Sequence, residues 1–393
     1  MPMLDDLSQL TPTLRSLGWT TAHDEWADSV SSDRQIARGR IARVSRGYSV
    51  VFTGGDAILA ASASIRSNTG TAPATGDYVV VEDDPDDGPS LAAIADRHTA
   101  LNRRAAGRYP EAQVLAANID HVFVMDSLDR EVSLRRIERQ LVIAWDSGAT
   151  PTVVLTKADQ VADYEQKVTE VAAVAPGVDT IAISSVQGTG MDQIRSRIQP
   201  GITVALMGLS GIGKSTLVNE LTDGHVQRTG EVRATDRRGR HTTVTRDLIP
   251  LPGLVADSDD TQDGTQNGNQ NGTEPSFIID TPGIREIGLW QAYDGMAKAF
   301  PEIAGDADRC RFADCQHESE PGCAIQQALA DQTIAPRRLQ HWNDLMADLA
   351  LQQEQLEEFA RRSESRDRAD VERKQRGERR SKKNNATGKR RSR

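Results

Sequence analysis

Long apolar runs are absent from this sequence of 393 residues. No stretch of about 18 or more apolar residues occurs, which argues against a membrane-spanning helix. The first ten residues, MPMLDDLSQL, are acidic where a secretory signal would be basic and then apolar. We therefore expect a cytoplasmic protein with no membrane partner.

Cysteine is also scarce, and its distribution is uneven. The three cysteines, Cys310, Cys315 and Cys323, fall within fourteen positions, and an odd, clustered set argues against a disulfide framework. Together with His317 they form the pattern Cys-x4-Cys-x-His-x5-Cys, which fits one structural zinc ion held by three thiolates and an imidazole. The alternative is three incidental thiols beside a surface histidine.

Positive charge is concentrated at the end of the chain. The formal net charge is −10, but residues 361–393 hold fifteen Lys or Arg against five Asp or Glu, a local +10 that leaves −20 for the rest. We expect this basic tail to be disordered, because it has little apolar surface to bury, and its charge suits phosphate backbones. A solvated tail without a partner is the alternative.

Composition and periodicity predict a multidomain α/β protein. Short β-like runs broken by glycine turns are typical of a small OB-like β-barrel, and the apolar strands that next alternate with helical patterns indicate a mostly parallel sheet with helices. The predicted segments are an N-terminal extension at 1–35, the barrel at 36–108, the α/β domain at 109–290 with a disordered acidic insertion at 256–274, a helical zinc-binding domain at 291–362 and the basic disordered tail at 363–393.

A phosphate-binding loop is predicted by GLSGIGKST, which follows the apolar run ITVALM and precedes a helical pattern. In a P-loop the backbone N–H groups and the helix N-terminus hold phosphate oxygens. Lys214 would supply charge to the β and γ phosphates, Ser215 a hydroxyl to Mg²⁺, and Thr216 a contact to the α-phosphate. The predicted set is Gly208, Leu209, Ser210, Gly211, Ile212, Gly213, Lys214, Ser215 and Thr216.

Two later segments complete the predicted phosphate side. In IIDTPG, Asp280 at the end of an apolar strand is suited to hold the Mg²⁺ shell, and the N–H of Gly283 to sense the γ-phosphate. Before it, GRHTTVT offers Thr242 or Thr243 as a hydroxyl that closes on Mg²⁺. We therefore expect Mg²⁺ to accompany the nucleotide.

Two segments upstream of the P-loop favour GTP over ATP. In LTKAD, the Asp159 carboxylate can accept from guanine N1–H and from the exocyclic amine that adenine lacks, while Lys157 stacks along the base. AISSVQG offers the backbone of Ser184 and Ser185 to the guanine carbonyl oxygen. The predicted base-reading set is Thr156, Lys157, Ala158, Asp159, Ser184 and Ser185. Because both segments precede the P-loop, we expect a circularly permuted GTPase domain.

The barrel, the motif order and the cysteine pattern together resemble the circularly permuted, small-subunit-dependent GTPases of the RsgA (YjeQ) family over residues 36–360. The resemblance implies an OB-fold that contacts rRNA, a zinc domain that touches the small ribosomal subunit, and GTP hydrolysis to GDP that the subunit stimulates during late maturation. Thr156 departs from the family pattern, where asparagine is commoner.

The resemblance also names His241 as the catalytic residue that orients the attacking water, beside Lys214. Ile284 stands where other GTPases often carry a glutamine for that task. The alternative is that the ribosome supplies the group. We expect a monomer. Two other classes stay open, an ATP-dependent kinase or motor with the same P-loop and a non-catalytic RNA-binding module that nucleotide stabilises.

Overall fold

The structure is a computed structural model. It describes residues 13–63, 65, 70–85, 88–104, 112–222, 246–251, 275–280, 289 and 292–388, with side chains along the terminal helix described to residue 362. No helix in these described segments is both long and apolar enough to cross a bilayer.

Five strands form a closed barrel near the N-terminus. They are β1 Gln35–Ser45, β2 Tyr48–Phe52, β3 Ala57–Ala61, β4 Tyr78–Asp84 and β5 Gly88–Ile94. They pair in the order β1-β2-β3-β5-β4, and β4 returns to pair with β1. The apolar side chains inside the barrel are Ile41, Val51, Ala60, Ile65, Val79, Val81 and Leu91. The predicted OB-like barrel is confirmed.

The N-terminal extension packs on the outside of this barrel. A 3-10 turn at Arg15–Leu17 is followed by α1, Thr21–Val30. Because strand residues alternate between faces, Tyr78 and Val80 point outward from β4, where they form an apolar cluster with Trp19 of the extension. From residue 13 onward the extension is thus part of the folded unit, which its composition did not reveal.

The α/β domain is built on a mostly parallel sheet, as predicted. Its elements are β6 Ala100–Arg104, β7 Ala112–Ala117, β8 His121–Ser127, α2 Leu134–Asp146, β9 Thr150–Thr156, α3 Tyr164–Ala172, β10 Thr180–Ala182, α4 Met191–Arg195, β11 Thr203–Met207, α5 Lys214–Leu221, β12 Asp247–Leu251 and β13 Ser276–Asp280. Strands β10-β9-β8-β11-β13 are parallel neighbours, and β12 joins β13 antiparallel. β6 and β7 form a separate antiparallel pair. Helices cover the sheet, so its central strands are continuous apolar runs.

One buried arginine joins the barrel, the extension and the sheet. Arg40 of β1 is 1% exposed, and its guanidinium donates to the carbonyls of Leu17 (3.1 Å), Gly76 (3.1 Å) and Asn118 (2.8 Å). It also lies 5.4 Å from the ring centroid of Phe277 in β13. The carbonyl oxygens and the ring face stabilise a cation that burial would otherwise disfavour.

The C-terminal part is helical. It comprises α6 Tyr293–Ala299, α7 Pro301–Ala307, α8 Ala324–Ala330 and α9 Pro336–Gly388. Helix α6 approaches α2 so closely that a Cβ at Gly295 would lie 2.1 Å from the carbonyl oxygen of Val142. At this contact, burial raises the pKa of Asp146 to about 6. The helical domain is therefore packed directly on the α/β domain.

The end of α9 differs from the sequence-based expectation. Residues 363–388 continue the helix, where we predicted a disordered tail. This stretch is rich in Arg and Lys, which favour helices, and it lacks proline. Because its packed first half already supplies the helical nucleus, extending α9 avoids the costly nucleation step.

Candidate functional site

The predicted site residues follow neighbouring strands at one edge of the sheet. Lys157–Asp159 come directly after β9, Ser184 and Ser185 lie just beyond β10, and the P-loop follows β11. Asp280 is the last residue of β13. Because the carboxyl ends of parallel strands share an edge, these loops meet where ligands bind in open α/β sheets.

The P-loop is folded around its lysine. Lys214 begins α5, is 7% exposed, and donates from Nζ to the carbonyls of Gly208 and Leu209, both at 2.8 Å. A Cβ at Gly208 would lie 2.6 Å from the carbonyl oxygen of Met125 in β8, so only glycine fits there. Gly213 has φ +99°, a left-handed conformation that glycine adopts without strain. The loop and its charge are therefore preorganised.

The hydroxyls of the P-loop differ in exposure. Ser215 is half-buried, whereas Ser210 and Thr216 are exposed. Asp280 is 7% exposed and lies opposite Leu206 of β11, two residues before the P-loop begins. A buried carboxylate on the strand beside β11 and a half-buried hydroxyl in the loop after β11 are oxygen donors of the kind that a hard cation such as Mg²⁺ prefers.

The base-reading segments form two connected loops. Ala158 N–H donates to the carbonyl of Ile183 at 3.0 Å, and the exposed Asp159 lies in the 3-10 turn that follows Lys157. The N–H of Ser184 donates to Thr189 O at 2.9 Å inside its own loop. Of the two backbone N–H groups predicted to donate to guanine, that of Ser184 is therefore already engaged within its own loop.

Thr156 connects the base-reading loop to the P-loop. Its hydroxyl contacts the carbonyl oxygen of Ile212 and lies 3.3 Å from that of Asp126. The threonine hydroxyl thus bridges neighbouring loops at the position where the family more commonly carries asparagine. A single side chain thus links the two halves of the nucleotide site.

One acidic residue near this site escaped the sequence analysis. Asp129, two residues beyond β8, pairs with Lys157 at 2.6 Å (Nζ–Oδ2). Hydrogen bonding from Lys157 holds the pKa of Asp129 below its ordinary value. In the sequence Asp129 is only an acidic residue shortly after a predicted strand. Its place beside the site depends on the position of β8 between β9 and β11 in the sheet.

Four predicted residues lie outside the described residues. They are His241, Thr242, Thr243 and Gly283, and the predicted insertion at 256–274 lies outside them as well.

The cysteine cluster has the geometry of a metal centre. The four potential ligand atoms of Cys310, Cys315, His317 and Cys323 all lie within 4.8 Å of one another. Cys310 Sγ is 3.9 Å from Cys323 Sγ and 3.5 Å from His317 Nδ1. Soft ligands at these separations suit tetrahedral zinc.

Comparison with known proteins gives consistent matches. A family model described as RsgA GTPase matches residues 94–260, and one described as 50S ribosome-binding GTPase matches residues 203–319. A protein of Streptomyces coelicolor named small ribosomal subunit biogenesis GTPase RsgA is 39% identical over 342 residues, covering 85% of this chain and 86% of that protein. A protein of the same name from Methanosarcina acetivorans is 37% identical, covering 81% of each chain.

Two solved structures share the fold. YjeQ from Thermotoga maritima matches with a TM-score of 0.55 and 21% identity, covering 80% of this chain and 98% of that one. YloQ, described as a circularly permuted GTPase, matches with a TM-score of 0.53 and 22% identity, covering 81% and 96%. The order of motifs in this chain, with both base-reading segments before the P-loop, agrees with that description.

Proposed function

This chain belongs to the RsgA family of GTPases, and from that premise we propose that it hydrolyses GTP to GDP and phosphate during late maturation of the small ribosomal subunit. The contact of Thr156 with the carbonyl of Ile212 carries the proposal, because it joins a guanine-type loop to a P-loop. An ATP-dependent kinase or motor would leave Asp159 without a role.

Binding of GTP follows from the chemistry of the two loops. The Asp159 carboxylate accepts from guanine, Lys157 lies along the base, and Ser185 donates to the guanine carbonyl. At the other end, P-loop N–H groups hold the phosphates, and Lys214 Nζ exchanges its two loop carbonyls for phosphate oxygens. The bound nucleotide would therefore span the distance between Asp159 and Lys214.

The magnesium site would use Ser215, Asp280 and either Thr242 or Thr243. When bound with GTP, Mg²⁺ neutralises charge that develops on the phosphate oxygens. Ser215 and Asp280 support the assignment because a half-buried hydroxyl and a buried carboxylate lie beside the P-loop. Gly283 would donate its N–H to the γ-phosphate.

The water that attacks the γ-phosphate needs an orienting group. We assign this task to His241, because Ile284 cannot hydrogen-bond water through its side chain and a histidine near neutral pH can. Lys214 stabilises the charge of the transition state. A group supplied by the ribosome is the alternative, and it predicts that removing the His241 imidazole leaves stimulated turnover intact.

Zinc would be held by Cys310, Cys315, His317 and Cys323, and when bound it supplies folding energy to a loop that has little core of its own.

We expect one zinc per chain. A zinc chelator such as 1,10-phenanthroline should make residues 308–335 sensitive to protease. His317→Ala should lose the metal, whereas Gln316→Ala in the same loop should keep it. Wild-type protein free of zinc, with a protease pattern that chelator leaves unchanged, would contradict the assignment.

The partner that we propose is the small ribosomal subunit, contacted through its rRNA. The relatives are named for biogenesis of that subunit, and the OB-like barrel is a fold that binds oligonucleotides. We expect the protein to act as a monomer.

The direct test is steady-state GTP hydrolysis with and without purified small subunits across a salt series. We expect slow turnover alone and stimulation of at least tenfold by subunits, which salt weakens because phosphate contacts release counterions. His241→Ala should bind GTP but respond weakly to subunits. Absence of phosphate release even with subunits would instead indicate a non-catalytic RNA-binding module.

A further inference from the structure

Lys157 is held by an acid that belongs to neither nucleotide-binding motif. Its ammonium lies 2.6 Å from Asp129 Oδ2, and the two side chains are 28% and 29% exposed. Lys157 has φ +60°, an unusual conformation for a residue other than glycine. Its backbone and its side chain are thus both constrained before any nucleotide binds.

The backbone fixes the position of this pair. Ser127 and Thr156 are in register on the parallel strands β8 and β9, and Leu128 N–H donates to Thr156 O at 2.9 Å. Asp129 and Lys157 follow immediately, so the two chains leave the sheet side by side. The pair is therefore built into the strand ends.

The residues on either side of Lys157 contact both of the other predicted nucleotide-binding loops. Thr156, directly before Lys157, contacts the P-loop carbonyl of Ile212, and Ala158, directly after it, binds the carbonyl of Ile183 in the second base-reading loop. A nucleotide whose base lies at Asp159 and whose phosphates lie in the P-loop would therefore lie beside Lys157.

We propose that Asp129 is a positioning residue for nucleotide binding. Its carboxylate holds the Lys157 side chain in the position in which that side chain lies along the guanine base. The inference rests on the proposed function. A free lysine loses much of its rotamer freedom when it is ordered by a ligand, and the ion pair removes that loss from the binding step.

The charge of Asp129 is suited to this role. Its pKa lies below the ordinary value because Lys157 donates to the carboxylate, so Asp129 is ionised at neutral pH. Because the pair is partly exposed, salt will screen it. The benefit of Asp129 should therefore be largest at low ionic strength.

Calorimetric titration of GDP and of a non-hydrolysable GTP analogue into Asp129→Ala, Lys157→Ala and the double variant tests this inference. Asp129→Ala should weaken both nucleotides equally, by about three- to fivefold at low salt, with kcat at saturating GTP unchanged. The loss should shrink as salt rises. The double variant should bind no more weakly than Lys157→Ala alone, because Asp129 acts through that lysine.

Asp192→Ala is the matched control. Asp192 is fully exposed on α4, 3.7 Å from Arg195, and its removal should leave both affinities unchanged. The inference would be overturned if Asp129→Ala bound nucleotide with wild-type affinity. It would also be overturned if adding Asp129→Ala to Lys157→Ala lowered the affinity as much as Asp129→Ala does in the wild-type protein. If wild-type protein fails to bind guanine nucleotides, the proposed function itself fails.

Discussion

The Lys214→Ala variant should lose at least about 100-fold in kcat/KM for GTP, the scale expected when one preorganised electrostatic contact to the transition state is removed. Lys214 Nζ already lies 2.8 Å from two P-loop carbonyls, so its charge needs little reorganisation to meet a phosphate. Hydrolysis would be measured with small subunits present, so that the slow intrinsic rate does not limit detection.

A surface lysine provides the control for that experiment. Lys167 on α3 is 43% exposed and pairs only loosely with Glu170 at 3.6 Å, so Lys167→Ala should retain full turnover. Thermal unfolding of both variants would show whether the P-loop stays folded. Wild-type turnover in Lys214→Ala would remove this loop from the reaction.

The largest expected effect on stability comes from Glu138 at the contact between α2 and α9. Glu138 is 1% exposed and accepts from Arg338 at 2.7 Å and from His341 Nδ1. Removing it leaves a buried guanidinium without one of its counter-charges, which costs about 3 kcal/mol or more. We expect Glu138→Ala to lower the free energy of unfolding by that amount in urea denaturation.

The rest of the cluster explains why the loss is large. Arg338 is 5% exposed and also donates to Glu302 at 2.7 Å and to the carbonyls of Val174 and Ala299 at 2.9 and 2.6 Å. Its position is therefore fixed, and it cannot move toward water when Glu138 is removed. The α/β and helical domains should separate more readily in the variant.

Arg139 on the same helix offers a matched comparison. It pairs with Asp348 of α9 at 2.7 Å, but both side chains are substantially exposed, so Arg139→Ala should cost less than about 1 kcal/mol. Equal losses for Glu138→Ala and Arg139→Ala would show that the buried cluster adds nothing beyond a surface ion pair.

The fold was predictable where the sequence pattern is local. Alternating runs predicted the barrel, the apolar run before GLSGIGKST predicted a central strand, and the order of motifs predicted the permutation. Glycine and lysine at fixed spacing also gave the P-loop its expected position. These features depend on neighbours a few residues away, which a single sequence displays.

What escaped prediction depends on contacts between distant residues. Glu138 and Arg338 each look like exposed charges in their own helices, and only their meeting across 200 positions makes them a buried pair. The same holds for Arg40 with Asn118, and for Asp129, whose importance depends on strand order. The high charge of residues 363–388 led us to predict disorder. Their conformation is instead determined by their helix propensity and by the packed helix before them.

The central claim is that the loops after β9 and β10 read guanine while the P-loop holds its phosphates. Titration of GDP and ADP into the wild-type protein and Asp159→Ala tests it most directly. We expect GDP to bind at least about 100-fold more tightly than ADP to the wild type, and Asp159→Ala to remove most of that difference, because the site then lacks the acceptor for guanine N1–H and its amine. Equal affinities of the wild-type protein for GDP and ADP would contradict the account.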